Sequence, residues 1–184
     1  MWRVHLVGSI LAMVAASLLI EDRLRYDSLL DHNPILIFGW IGPSVPDWIR
    51  KYRIRSILNA PCAILDDCEQ FKTHGVERIL GVNIVDFKKE AHIVGDLCTW
   101  KPDGEWDAVY INCFFCTSND SKIGDHTMAA RNITSWPVKY IIIYDTPGYE
   151  WREEFENAGW KVIESWDGKD VGAGTRVEMW GRAA

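Results

Sequence analysis

Ile54-Arg55-Ser56-Ile57-Leu58-Asn59-Ala60-Pro61-Cys62 is the stretch whose reading decides the fold, and Trp48-Ile49-Arg50-Lys51-Tyr52-Arg53 leads into it. The approach is basic and amphipathic at helical spacing. The run that follows is short and apolar and stops at Asn-Ala-Pro-Cys, so the pair reads as a helix feeding a buried strand whose carboxyl end opens into a loop. Open α/β sheets take their ligands at such strand ends.

Outward from that strand, helices and strands alternate. The approach helix spans 46–52, with Ser44 or Asp47 as its cap. Residues 66–74 have helical character and stop at Gly75, a suitable C-cap. A second buried strand is expected over 78–86, a third over 92–97, a fourth over 106–112 and a fifth over 138–145. Helices are expected over 123–133 and 151–158, the latter ending at Gly159. Two last strands, 160–166 and 175–180, are joined by a glycine-rich turn. This order gives a three-layer α/β fold with a mostly parallel sheet and an antiparallel terminal hairpin at its edge.

With 184 residues, 48% hydrophobic and 25% charged, the chain can build one well-cored domain and is too short for two ordinary ones. We divide it into an N-terminal apolar helix over 1–30, a connector over 31–47 rich in Pro and Gly, and a domain over 48–184. A net charge of −6 and a pI near 5.3 disfavour a nucleic-acid surface, which needs clustered Lys and Arg. Cysteines at 62, 68, 98, 113 and 116 form an odd set within apolar runs. They read as reduced, buried thiols.

Leu6-Val7-Gly8-Ser9-Ile10-Leu11-Ala12-Met13-Val14-Ala15-Ala16-Ser17-Leu18-Leu19-Ile20 contains no ionisable side chain. Extended back to residue 4 it makes a helix about 25 Å long at ~1.5 Å per residue. That is slightly short of the ~18 to 20 apolar residues of a full membrane span. A short anchor, a signal-peptide core, a helix docked on a partner and a core helix of the domain itself are the alternatives. Its small residues suit close helix–helix approach, and we expect residues 4–20 to engage a membrane or a partner.

Taken together, Asn59-Ala60-Pro61-Cys62, the preceding Gly42-Pro43-Ser44 and the later Ile79-Leu80-Gly81-Val82-Asn83-Ile84 resemble the class I S-adenosylmethionine-dependent methyltransferase family. The nearest subgroup has a first strand ending in Asp-Ala-Pro-Cys-Gly, a Gly-Pro-Gly-Ser before the approach helix and a second strand reading Gly-Val-Asp-Ile. The likeness covers roughly residues 40 to 181. It implies a Rossmann-like methyltransferase sheet and a cofactor site over Asn59, Ala63, Asn83 and Asp96, with Asn112 near the acceptor. In that family a glycine follows the first strand, one carboxylate holds the cofactor's amino group and another accepts the ribose hydroxyls. Ala63, Asn59 and Asn83 stand at those places here, Asn112 replaces a further aspartate, and Asp96, expected to meet the adenine amino group, keeps its charge. Charge-assisted hydrogen bonds contribute roughly 1.5–3 kcal/mol each. At ~1.4 kcal/mol per decade, losing two or three moves a micromolar site toward millimolar.

Other patterns carry less. Cys113-Phe114-Phe115-Cys116 has redox-pair spacing without the basic neighbours that activate thiols. A zinc site would need Cys62 and His126 beside that pair. Asn112-Cys113-Phe114-Phe115 faintly resembles the Asn-Pro-Pro-Phe loop of amino-group methyltransferases, without its prolines. Asp66-Asp67-Cys68-Glu69 reads as an acidic first helical turn, with a metal or nucleotide-sugar site as its alternative. Asn119-Asp120-Ser121 and Asn132-Ile133-Thr134 match glycosylation triplets.

The neutral cofactor positions lead us to expect a non-catalytic methyltransferase-like accessory subunit of a membrane-associated complex, with no cofactor, metal or nucleic acid bound. Numerous tryptophans at element edges would supply contacts to other subunits. A mitochondrial membrane suits reduced thiols beside an apolar helix, a cytoplasmic location being the alternative. The alternative function is an S-adenosylmethionine-dependent methyltransferase acting on a small hydroxyl, sugar-like acceptor, for which the sequence assigns no catalytic residue.

Overall fold

A computed structural model describes residues 41–62, 67–83, 91–112, 125–145, 150–167 and 176–182. The apolar helix expected over 1–30 and the connector up to residue 40 lie outside them. Among the described residues no helix is long and apolar enough to cross a membrane.

The strands are β1 (Ser56–Asn59), β2 (Arg78–Asn83), β3 (His92–Val94), β4 (Trp106–Asn112), β5 (Val138–Asp145), β6 (Trp160–Asp167) and β7 (Arg176–Arg182). They form one sheet in the order β3-β2-β1-β4-β5-β7-β6. Pairings from β3 through β5 are all parallel, and β7 runs antiparallel to both β5 and β6. The fold is thus the mostly parallel α/β sheet with an antiparallel hairpin. The hairpin lies at the edge as expected, and within it β7 inserts beside β5 and leaves β6 outermost. Val177 to Gly181 are buried without interruption, whereas β6 beyond the buried Trp160 alternates between exposed and half-buried positions. The strand apolar on both faces takes the inner place.

α1 (Val45–Lys51), α2 (Asp67–Thr73), α3 (His126–Thr134) and α4 (Glu150–Asn157) cover the two faces. Val45, Trp48, Ile49 and Phe71 from α1 and α2 pack with Ile57, Tyr110, Ile142 and Met179 on one face. Ala129, Ile133, Trp151 and Phe155 from α3 and α4 pack with Leu58, Val109, Ile141 and Trp180 on the other. Successive β1 residues Ile57 and Leu58 therefore face opposite layers, both fully buried, which is why this strand reads as a continuous apolar run.

Local chemistry sets the helix ends. α1 starts with Pro46 in its first turn, but the Ser44 hydroxyl makes no capping bond; its backbone carbonyl instead takes the N–H of Asp47 and of Trp48, both at 3.1 Å. At the other end the Ile54 N–H reaches the Ile49 carbonyl at 3.0 Å, closing a turn that puts Arg53 at φ 52°. Gly75 and Gly159 terminate α2 and α4 at φ 87° and 82°, values glycine adopts without cost.

The tryptophans correct another expectation. Trp48, Trp106, Trp136, Trp151, Trp160 and Trp180 are buried, and Trp100 and Trp166 pack half-buried against the core. Trp151, Phe155 and Trp180 form one cluster with ring centroids 5.6 to 6.1 Å apart. These side chains build the core, so they are not available for partners; Trp40 lies outside the described residues.

Candidate functional site

The strand order reverses between β1 and β4, and the crevice at the carboxyl ends there is the natural ligand site of a doubly wound sheet. Register places the expected residues along this edge. Asn59 pairs with Gly81 on one side and Tyr110 on the other, so Asn83 and Asn112 each stand two residues beyond it toward the carboxyl edge. Asn83 pairs with Val94, and Asp96 follows two residues later. Asn59, Asn83, Asp96 and Asn112 thus mark the ends of four neighbouring strands. Ala63 lies outside the described residues.

β1 ends earlier than its apolar run suggests. Pro61 has no N–H to extend a ladder, and the Ala60–Pro61 peptide is cis. Two ladder-like bonds still carry the chain outward: Ala60 N–H to Tyr110 O and Cys62 N–H to Val82 O, both 2.9 Å. Asn83 adds a third tie, its Nδ2 donating to the Cys62 carbonyl at 2.8 Å. Gly81 makes room for this, since a Cβ there would lie 3.0 Å from the Cys62 sulfur and 3.5 Å from the His92 ring. Asn59 is fully buried, with Nδ2 3.9 Å from the Cys68 sulfur on α2. Asn112 is also buried.

Asp96 is exposed and organises a turn. Its Oδ1 accepts the Cys98 N–H at 2.8 Å, and its backbone carbonyl accepts from Thr99 and Trp100 at 3.0 and 2.7 Å. This turn is why β3 stops at Val94 and does not run to residue 97. The Cys98 thiol bonds the Asp125 carbonyl at 3.6 Å, and burial, followed by the Asp96 and Asp125 charges, pushes that thiol above its usual range. Cys98 is therefore a neutral packing thiol. Asp125 in turn caps α3, accepting from Met128 N–H at 3.0 Å. Val94, which ends β3, and Met128, in the first turn of α3, are 57% and 49% exposed.

Asn132 was read as a glycosylation triplet and has another role. Its Nδ2 donates to the Leu97 and Trp100 carbonyls at 3.0 and 2.6 Å, fastening α3 to the Asp96 turn. Sequence reading also missed Glu178. This side chain, 4% exposed, is held by Arg152 Nη1 at 2.8 and 3.0 Å and by Arg176 Nε at 3.0 Å, joining α4 to β7. The signal was present: a lone carboxylate within the apolar β7 run.

Among the described residues no group of His, Cys, Asp or Glu side chains is placed to hold a metal. The Cys113-to-Cys116 stretch and Asn119 lie outside them. Of the α2 acidic turn, Glu69 pairs with Lys72 at 2.5 Å on the surface, as a solvated helix face does.

Neither a protein-family model nor a curated protein matches the sequence. Solved structures do match. Magnesium protoporphyrin IX methyltransferase from Synechocystis with bound S-adenosylhomocysteine superposes with a TM-score of 0.62 at 10% identity, over 91% of this chain and 100% of that one. The N-methyltransferase NodS from Bradyrhizobium japonicum gives 0.58 at 8%, over 84% and 99%. An rRNA methylase from Escherichia coli gives 0.55 at 13%, with 76% of this chain covering 62% of that protein. At such identities the likeness speaks for architecture, and it agrees with the strand order and the reversed β7: this chain has the fold of the class I S-adenosylmethionine-dependent methyltransferases.

Proposed function

We propose that the protein is an S-adenosylmethionine-dependent methyltransferase with a largely uncharged cofactor site. The observation that carries this reading is the gathering of Asn59, Asn83, Asp96 and Asn112 on one carboxyl edge, at the β1/β4 reversal. The residues fit the cofactor in part. An exposed carboxylate at Asp96, two residues beyond the end of β3, suits the amino group of a purine. The groups assigned to a ribose and an amino-acid moiety are carboxamides, so their contacts are neutral and weaker.

When bound, the cofactor supplies an activated methyl group. The chain's part is to orient it and the acceptor, and methyl transfer can proceed largely by positioning. Asn112, at the end of β4 next to β1, is the residue we assign to the acceptor side. Several structural neighbours are named as rRNA methylases, but a net charge of −6 disfavours a polyanionic substrate. A small hydroxyl, sugar-like acceptor suits this surface better.

Calorimetry with S-adenosylhomocysteine and S-adenosylmethionine tests the reading. Binding with a Kd between micromolar and millimolar is expected, and Asp96→Ala weakens it about tenfold, the loss of one charge-assisted bond. Absence of binding at millimolar ligand refutes it.

One observation favours a second reading. The Asn83 side-chain amide that bonds the Cys62 carbonyl is committed to the scaffold, as in a cleft retained for shape. On that reading the domain is a non-catalytic accessory subunit of a membrane-associated complex, docked through residues 4–20, in a mitochondrial or other membrane. The buried tryptophans lend it no support, and the ligand-bound structural neighbours favour the enzyme.

A further inference from the structure

We infer that Asn83 is a positioning residue: its amide fixes where the loop after β1 begins, and a carboxylate in its place would release that loop. The methyltransferase reading enters only in what the loop serves. The contact stands apart from it.

Three interactions seat Cys62 on β2. Its N–H donates to the Val82 carbonyl at 2.9 Å, and its own carbonyl accepts from Asn83 Nδ2 at 2.8 Å. Its side chain lies against the open flank of Gly81, 3.0 Å from where a Cβ would stand. A carbonyl oxygen can only accept, so the carboxamide must turn a nitrogen toward it. An ionised aspartate has no proton to give there. Its charge would also face the negative end of the Cys62 carbonyl dipole. At the strand end where the resembled family places a ribose-binding carboxylate, this chain uses the side chain as a donor to its own backbone. Restoring the acid should therefore loosen the loop and should not tighten ligand binding.

A protonated acid still has one O–H donor, which gives the inference a pH signature. In Asn83→Asp the neutral form can bond the Cys62 carbonyl and the ionised form cannot. Folding therefore raises the introduced carboxyl's pKa above its unfolded value of about 3.9. A group raised in this way contributes stability that is complete below the unfolded value and lost as pH rises through the folded one.

The test uses the full chain: thermal midpoints of wild type, Asn83→Asp and Asn83→Ala from pH 4 to pH 8, with S-adenosylhomocysteine titrated calorimetrically at pH 7.5. The Asn83→Asp midpoint should approach wild type near pH 4 and fall about 5 °C or more below it by pH 7. Asn83→Ala should be lowered at every pH. The affinity of Asn83→Asp should not exceed that of wild type. A variant unfolded at pH 7 that refolds on acidification agrees with the inference, and one that does not refold at pH 4 contradicts it. An Asn83→Asp protein that keeps the wild-type midpoint throughout, or binds the ligand tenfold more tightly, overturns it. If wild type binds no ligand, the functional reading fails while the midpoints still decide this one.

Discussion

Asp107→Asn should be among the more damaging single-atom changes in this protein, although it lies at the amino edge of the sheet, opposite the proposed cofactor site. Asp107 opens β4, and its side chain is 17% exposed. Oδ2 accepts from Arg55 N–H at 2.9 Å, Ser56 N–H at 3.0 Å and Ser56 Oγ at 3.1 Å, while Lys139 Nζ reaches Oδ1 at 2.7 Å. One carboxylate thereby joins the starts of β1, β4 and β5. Burial works against its charge, but the Lys139 ammonium, the Arg55 N–H and Ser56 outweigh burial and hold it below the usual carboxylate range. Asparagine keeps one oxygen for the β1 donors and turns its amide toward Lys139. Three charge-assisted bonds become neutral at a loss of about 1 kcal/mol each, and the exposed Lys139 pair adds at most about 1 kcal/mol. The sum is about 3–4 kcal/mol, or roughly 6–16 °C in midpoint at ~2–4 °C per kcal/mol for a chain this long.

Urea unfolding of wild type and Asp107→Asn across pH supplies the check. A depressed folded pKa contributes stability that is full above the unfolded value, near 3.9, and lost as pH falls through the folded one. The difference between the two proteins should hold steady from pH 8 to pH 5 and shrink below about pH 4. A difference under about 0.5 kcal/mol at pH 7, where surface substitutions fall, or one that does not diminish in acid, would refute the reasoning.

Arg53→Gly should stabilise the protein by about 0.5–1 kcal/mol, because Arg53 is exposed at φ 52° after α1 and a side chain there is strained; a urea midpoint unchanged or lowered would contradict this. Asn132→Ala should cost about 1–3 kcal/mol by stranding the Leu97 and Trp100 carbonyls. It should also raise amide exchange in the Asp96 turn, and unchanged exchange there would show that α3 does not hold the turn.

The parts of the fold legible in sequence were those written as apolar runs between punctuation. β4 and β5 fall at the expected residues, and Gly75 and Gly159 end the helices as expected. β1 and β3 run short for reasons periodicity does not carry: Pro61 has no donor, and the Asp96 carbonyl closes a turn through contacts the pattern does not reveal. The place of β7 depended on comparing burial between two late strands, since a hairpin alone does not say which arm lies inside. At the site, sequence identified which residues end the strands. It could not say that Asn132 fastens α3, or that the Asn83 nitrogen points at a backbone carbonyl, because those depend on elements brought together from 21 to 35 residues away.

The two ends of the sheet divide their chemistry. On the amino edge a half-buried carboxylate, Asp107, gathers donors from β1 and β5. On the carboxyl edge β1 and β2 are joined by neutral bonds, the Cys62–Asn83 contact among them. Along β4, Asp107 and Asn112 are five residues apart, about 16 Å at ~3.3 Å per residue. That exceeds the 7–10 Å within which substitutions couple. Substitutions at Asp107 and Asn112 should therefore act independently, and a carboxyl edge poor in charge need not weaken the fold. On the methyltransferase reading proposed above, the neutral residues Asn59, Asn83 and Asn112 are therefore the ones whose substitution should move cofactor affinity, while Asp107 should move stability alone.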